Sequence, residues 1–213
     1  MLARALEAGV SAALDIADSP EEWQRTLALC RASGGPGRPV VRCALGLHPY
    51  HADADIPALA QSLARVGRLP EVAAVGEIGL DYAKCKVLPE TQKRAFLALL
   101  GSACGLGLPV IVHSRDAFPD TLDLLEAFYR ERSKSRRFRG VLHCFSGGAE
   151  EALRGVALGF ALGVDGPVTY PNNGPLRAAL KEAGLGNLVL ETDSPYLPPQ
   201  SCRGRRNEPA ALR

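Results

Sequence analysis

The sequence predicts an α/β protein built around a parallel sheet, and three observations carry that expectation. Short runs rich in Val, Leu and Ile recur along the chain, amphipathic helical stretches separate them, and several runs stop on an ionisable residue. A short apolar run without polar alternation is the pattern of a strand buried on both faces, as parallel strands are. Strands alternating with helices imply right-handed crossovers between parallel neighbours. Two closures satisfy that pattern, an open doubly wound sheet and an eight-stranded barrel.

The opening stretch LARALEAGV places Leu2, Leu6 and Val10 near one face, the spacing of a helix. Seven runs of strand length follow: Val10 to Ile16, Val40 to Leu47, Val72 to Leu80, Pro109 to His113, Val141 to Phe145, Phe160 to Val164, and Leu188 to Thr192. Between them, PEEWQRTLALCRAS has Ser19 as its cap and acids in its first turn, and PETQKRAFLALLGSACGLG has apolar helical spacing ending at Gly105 and Gly107. Gly34 to Pro39 form a turn-rich loop, not a domain linker.

The composition is ordinary for a globular domain: 213 residues, 46% hydrophobic, 23% charged. A single domain over 1–213 is therefore expected. A formal net charge of +2 is too mild to argue for nucleic acid, so such a claim must come from a site. The six cysteines stand singly, without a C-x-x-C pair, which suggests neither a zinc ribbon nor a disulfide framework and fits a reducing cytoplasm. No apolar stretch approaches the roughly 20 residues that span a bilayer.

The ends of the runs carry the chemistry. AVGEIGLDY offers Glu77, VIVHSRDA His113, VLHCFSGG His143 and LVLETDSPY Asp193. A charge where a buried parallel strand stops sits at the strand's carboxyl end, which in a β/α barrel is the active face. Singly, each residue has a plain alternative: Glu77 in solvent, either histidine hydrogen-bonded in the core, Asp193 as an N-cap. Together, carboxylate and imidazole ligands from separate strand ends suit Mg²⁺, Mn²⁺, Zn²⁺ or Fe²⁺ and point to a catalytic metal.

GLHPY (47–50 after Gly46), GEIGLDY (76–82), VIVHSRDA (110–117), LHCFSGG (142–148), ETDSPYL (191–197) and RGRRNEP (203–209) together resemble, in order and approximate spacing, the TatD family of metal-dependent hydrolases. The resemblance covers nearly the whole chain. It implies an amidohydrolase-like TIM barrel, one or two divalent ions (Mg, Mn or Zn), DNA as substrate, and hydrolysis of its phosphodiester bonds. It further implies that Glu77 bridges metals, that His113 and His143 hold one ion, and that Asp193 binds the other and activates the attacking water. His48 is the family's strand-end histidine near the pocket, with a turn residue before Pro49 as the alternative.

The family's first strand ends in a His-x-His pair, and none of the four histidines here forms such a pair. The expectation is thus an incomplete barrel, about seven of eight parallel strands, shortened at both ends, with an unpaired edge that lowers stability.

Two basic features remain. Six Lys or Arg lie between Arg130 and Arg139, but that stretch precedes the strand at Val141 and so belongs to the face opposite the site. RGRRNEP follows the last strand, at the site's mouth, and arginine forks match phosphate oxygens. Arg205, Arg206 and Glu208 are therefore expected at the substrate, and Arg115 either there or paired with Asp116. No membrane or obligate protein partner is implied. Two alternatives to a DNA phosphodiesterase stay open: a catalytically impaired remnant, and a related barrel hydrolase acting on amide or ester bonds.

Overall fold

The structure is a computed structural model that describes residues 1–130 and 138–213. Its strands are β1 (Ala12–Ala17), β2 (Val40–Leu45), β3 (Val72–Asp81), β4 (Val110–Arg115), β5 (Gly140–Leu142), β6 (Phe160–Val164) and β7 (Leu188–Leu190). They form one seven-stranded sheet in sequence order, every neighbouring pair parallel. After α1 (Leu2–Glu7), the crossovers carry α2 (Pro20–Arg31), α3 (Ile56–Val66), α4 (Pro89–Leu106), α5 (Phe118–Tyr129), α6 (Ala149–Ala157) and α7 (Gly174–Ala183). The sheet curls into part of a barrel, and of the two closures the sequence admitted this is the barrel one.

Alternation along the strands divides the core. Val41, Cys43 and Leu45 of β2, Val75 of β3, and Val110 and Val112 of β4 pack against the helices, with Leu27, Leu63, Phe96 and Leu99 in the same cluster. Their neighbours Ala44, Ala74 and Ile111 form a second, smaller cluster on the other face, joined by Ile16 and Val141. His113 and His143 stand two residues beyond Ile111 and Val141, so period-two alternation keeps them on this inner face, above the small cluster. Glu77 stands three beyond Ala74, which would turn it outward in a regular strand. The pairing of β3 with β4 shifts register between Val75 and Ile78, and that irregularity returns Glu77 to the inner side.

Most boundaries agree with expectation to within two residues. Gly107 ends α4 in the left-handed conformation (φ 68), as its position after an apolar helix required. Ser19 takes the cap position of α2 but makes no side-chain cap bond; Asp55, by contrast, caps α3 by accepting from Ala58 N at 3.1 Å. β5 and β7 stop earlier than expected, because the chain turns at His143 and Glu191 to enter the site. Among the described residues no strand pairs with the outer edge of β1 or β7, where Leu14, Val189 and Leu190 are exposed. No helix among them is long and apolar enough to cross a membrane. Of the basic stretch from Arg130 to Arg139, residues 131–137 lie outside the described residues, and Arg139 rests 4.2 Å over the Tyr129 ring.

Candidate active site

The carboxyl ends of β2 to β7 converge. His48 lies just past β2, Glu77 and Asp81 in the last half of β3, His113 and Arg115 in β4, His143 just past β5, Asp165 past β6, and Glu191 and Asp193 past β7. Gly79, at φ 147, permits a close β3–β4 approach; a side chain there would collide with the His113 carbonyl oxygen.

Two groups meet at Glu77. On one side His113 Nδ1 lies 2.6 Å from Glu77 Oε1, and one ligand atom each of His48, Glu77 and His113 fall within 4.8 Å of one another. His48 packs edge-on against the His113 ring at 4.6 Å, and its Nδ1 accepts from Tyr50 N at 3.2 Å. On the other side His143 Nε2 stands 3.9 Å from Glu77 Oε1 and 3.7 Å from Asp193 Oδ1. The four residues expected to be ligands are thus brought together, with His48 nearer Glu77 and His113 than the sequence indicated. Histidine nitrogen and carboxylate oxygen in this mixture form a donor set that fits a divalent cation.

Electrostatics agree with that fit. Burial alone would raise the Glu77 carboxyl, but the His113 bond and the charges of His143, His113 and His48 hold it down to about 2. Burial would lower His143, yet the bond to Glu191 and the charges of Glu191, Glu77 and Asp193 raise it to about 10. Burial lowers His48 to about 4, leaving it neutral. Burial also raises Asp193, against the pull of His143. A site that concentrates carboxylates around imidazoles attracts cations.

Several participants were not singled out from sequence. Asp81 is fully buried; its Oδ2 lies 3.2 Å from His113 Nε2 and its Oδ1 accepts from Ala83 N and Lys84 N. Gln92 fixes that strand end, accepting from Asp81 N and donating to Asp81 O. Asp165, raised to about 6 chiefly by burial, accepts from Cys144 Sγ at 3.1 Å. Glu191 contacts His143. Each acid closes an apolar run, so the rule that found Glu77 reaches them too.

Arg115 lies 3.6 Å from Asp81 Oδ2, so its neighbour is Asp81 and not the adjacent Asp116. Arg205 and Arg206 are exposed, and neither has a carboxylate partner within 4 Å among the described residues. Their loop is anchored beside Asp193 by the buried Asn207, whose Nδ2 donates to Thr192 O and Tyr196 O, each at 2.7 Å. Glu208 faces elsewhere: both its oxygens accept from Arg4 of α1, at 2.6 Å from Nη2 and 2.9 Å from Nε.

A family model described as TatD related DNase matches residues 1–213. A 3'-5' ssDNA/RNA exonuclease TatD from Cronobacter turicensis is 37% identical over 217 residues, covering 100% of this chain and 79% of that protein. A metal-dependent hydrolase from Bacillus subtilis, YabD, is 35% identical over 81% of this chain and 66% of its own length. The crystal structure of the TatD homologue YJJV from Escherichia coli superposes with a TM-score of 0.86 at 35% identity, over 99% of this chain and 78% of that one. A phosphotriesterase homology protein from the same species shares the fold, with a TM-score of 0.61 at 18% identity over 90% of this chain and 70% of that one.

Proposed function

Because this chain belongs to the TatD family of metal-dependent DNases, we propose that it hydrolyses phosphodiester bonds of single-stranded DNA or RNA from the 3' end, the activity its exonuclease relatives are named for. Glu77, His113, His143 and Asp193 would hold the metal. Glu77 faces both the His48/His113 side, where three ligand atoms lie within 4.8 Å of one another, and the His143/Asp193 side. Oxygen and imidazole donors are compatible with Mg²⁺, Mn²⁺ or Zn²⁺.

A bound divalent ion supplies Lewis acidity towards a phosphoryl oxygen and acidifies a water to near neutral pH. The protein's own part is positioning and proton transfer. Asp193, whose carboxyl is raised by burial and so is the more basic, takes the proton of the attacking water as general base. Arg205 and Arg206 bind backbone phosphates of the substrate, Arg115 reaches a phosphate from β4, and His48 lines the same pocket. Glu208 serves this loop by fastening it to α1 through Arg4, in place of the substrate contact read from sequence.

The observation that carries this reading is the tethering of two arginines, without a carboxylate partner among the described residues, to Thr192 and Tyr196 on either side of Asp193 through Asn207. The experiment is digestion of 5'-labelled single-stranded DNA and RNA with Mg²⁺ or Mn²⁺. A ladder shortening from the 3' end supports the reading; turnover of amide or carboxylic ester substrates with the labelled strands left intact contradicts it.

A further inference from the structure

Among the site residues, Glu191 has both carboxylate oxygens committed to its neighbours. Its Oε2 lies 3.1 Å from His143 Nδ1, and its Oε1 accepts from the backbone N–H of Cys144. A carboxylate only accepts, so the proton in the first contact belongs to Nδ1 and the lone pair of the neutral ring belongs to Nε2. Nε2 is the nitrogen that faces Glu77 and Asp193.

The surroundings are built to hold this carboxylate. Gly163 of β6 stands against it, and a methyl group there would overlap it, with Oε2 only 2.6 Å from the added carbon. The backbone of Glu191 is fixed as well, its N–H donating to Val164 O at 3.0 Å. With both oxygens occupied, Glu191 is poorly placed to turn and bind an ion itself.

We infer that Glu191 is a positioning residue for His143: it fixes the ring's orientation and tautomer so that Nε2 is presented to the metal, and Gly163 is the space that lets it do so. This rests on the metal-site reading above. A carboxylate bonded to the far nitrogen of a metal-binding imidazole fixes the ring and raises its basicity, and its loss costs about 10- to 100-fold in metal affinity.

Glutamine cannot replace it, because one amide accepts at only one of the two contacts and sets an N–H against the other donor. The test combines Mn²⁺ titration calorimetry with nitrogen-resolved NMR of the His143 ring in the full chain, for Glu191→Gln, Glu191→Asp, Gly163→Ala and His143→Ala. The expected result is a fall in Mn²⁺ affinity of about 10- to 100-fold in Glu191→Gln, with loss of the carboxylate-bonded Nδ1–H signal. Glu191→Asp should recover part of both, and Gly163→Ala, which displaces the carboxylate without removing it, should reproduce both losses. Wild-type affinity and an unchanged Nδ1–H signal in Glu191→Gln, with binding lost in His143→Ala, would overturn this inference alone. Wild-type affinity in His143→Ala would overturn it together with the site assignment. If Glu191→Gln does not fold, Glu191→Asp and Gly163→Ala decide the matter on the same two readouts.

Discussion

Glu77 Oε1 lies 2.6 Å from His113 Nδ1, joining the carboxylate of β3 to the imidazole of β4 at the centre of the site. Glu77 is also the carboxylate that the His143 side shares, so its loss should disable both halves at once. Glu77→Ala is expected to reduce Mn²⁺ affinity by more than about 100-fold, beyond the cost of losing a supporting partner alone. Calorimetric titration measures this directly; wild-type affinity would remove Glu77 from the ligand set.

The metal-free protein should lose stability in alkali while its metal affinity rises. His143 is raised from 6.5 to about 10, so the stability it contributes is complete below about pH 6.5 and is lost as pH climbs through 10. Metal requires the neutral ring, so binding displaces a proton across that window. Glu77 has the opposite sign: lowered from 4.5 to about 2, it contributes stability above pH 4.5 that disappears as pH falls through 2. Denaturant midpoints at pH 6.5 and 9, with His143→Gln as control, should differ in the wild type and differ less in the variant. Mn²⁺ affinity should be higher at pH 8 than at pH 6.5.

Arg205 and Arg206 are expected to act on the nucleic acid and leave the ion untouched. The double change to Gln should weaken single-stranded DNA binding and flatten its dependence on log salt by roughly 0.7 for each phosphate no longer neutralised. Mn²⁺ affinity should not move. Fluorescence anisotropy across a salt series reads the slope; unaltered binding and turnover would favour a hydrolase acting on amide or ester bonds.

Gly79→Ala should be costly for a site-shaping reason. The residue sits at φ 147, and an added methyl meets the His113 carbonyl oxygen across the β3–β4 ladder. Backbone strain and displacement of a paired strand together are expected to cost about 3 kcal/mol or more. Equilibrium denaturation measures the loss, and Mn²⁺ affinity should fall with it because His113 moves.

The buried strands are legible because each is a compact apolar run: the run from Phe160 to Val164 has the same bounds as β6 in the structure. Glu77, His113, His143 and Asp193 are legible as strand-end residues of ligand type. Asp81, Asp165 and Glu191 obey the same rule, but what distinguishes them is a neighbour on another strand, which sequence order does not reveal. Glu208 shows the limit most clearly. Its motif sits at the site's mouth, while its partner Arg4 is 204 residues away on α1, brought near only when the sheet curls.

On this reading, the chain's own Glu/His/His/Asp set supports metal-dependent phosphodiester hydrolysis. The most direct measurement is cleavage of end-labelled single-stranded DNA by the purified 213-residue chain, with Mg²⁺ or Mn²⁺ against EDTA and with Asp193→Ala alongside. Cleavage should need the metal and be lost in the variant. Absence of cleavage from a soluble, cooperatively folded chain, or cleavage undiminished by Asp193→Ala, would contradict it.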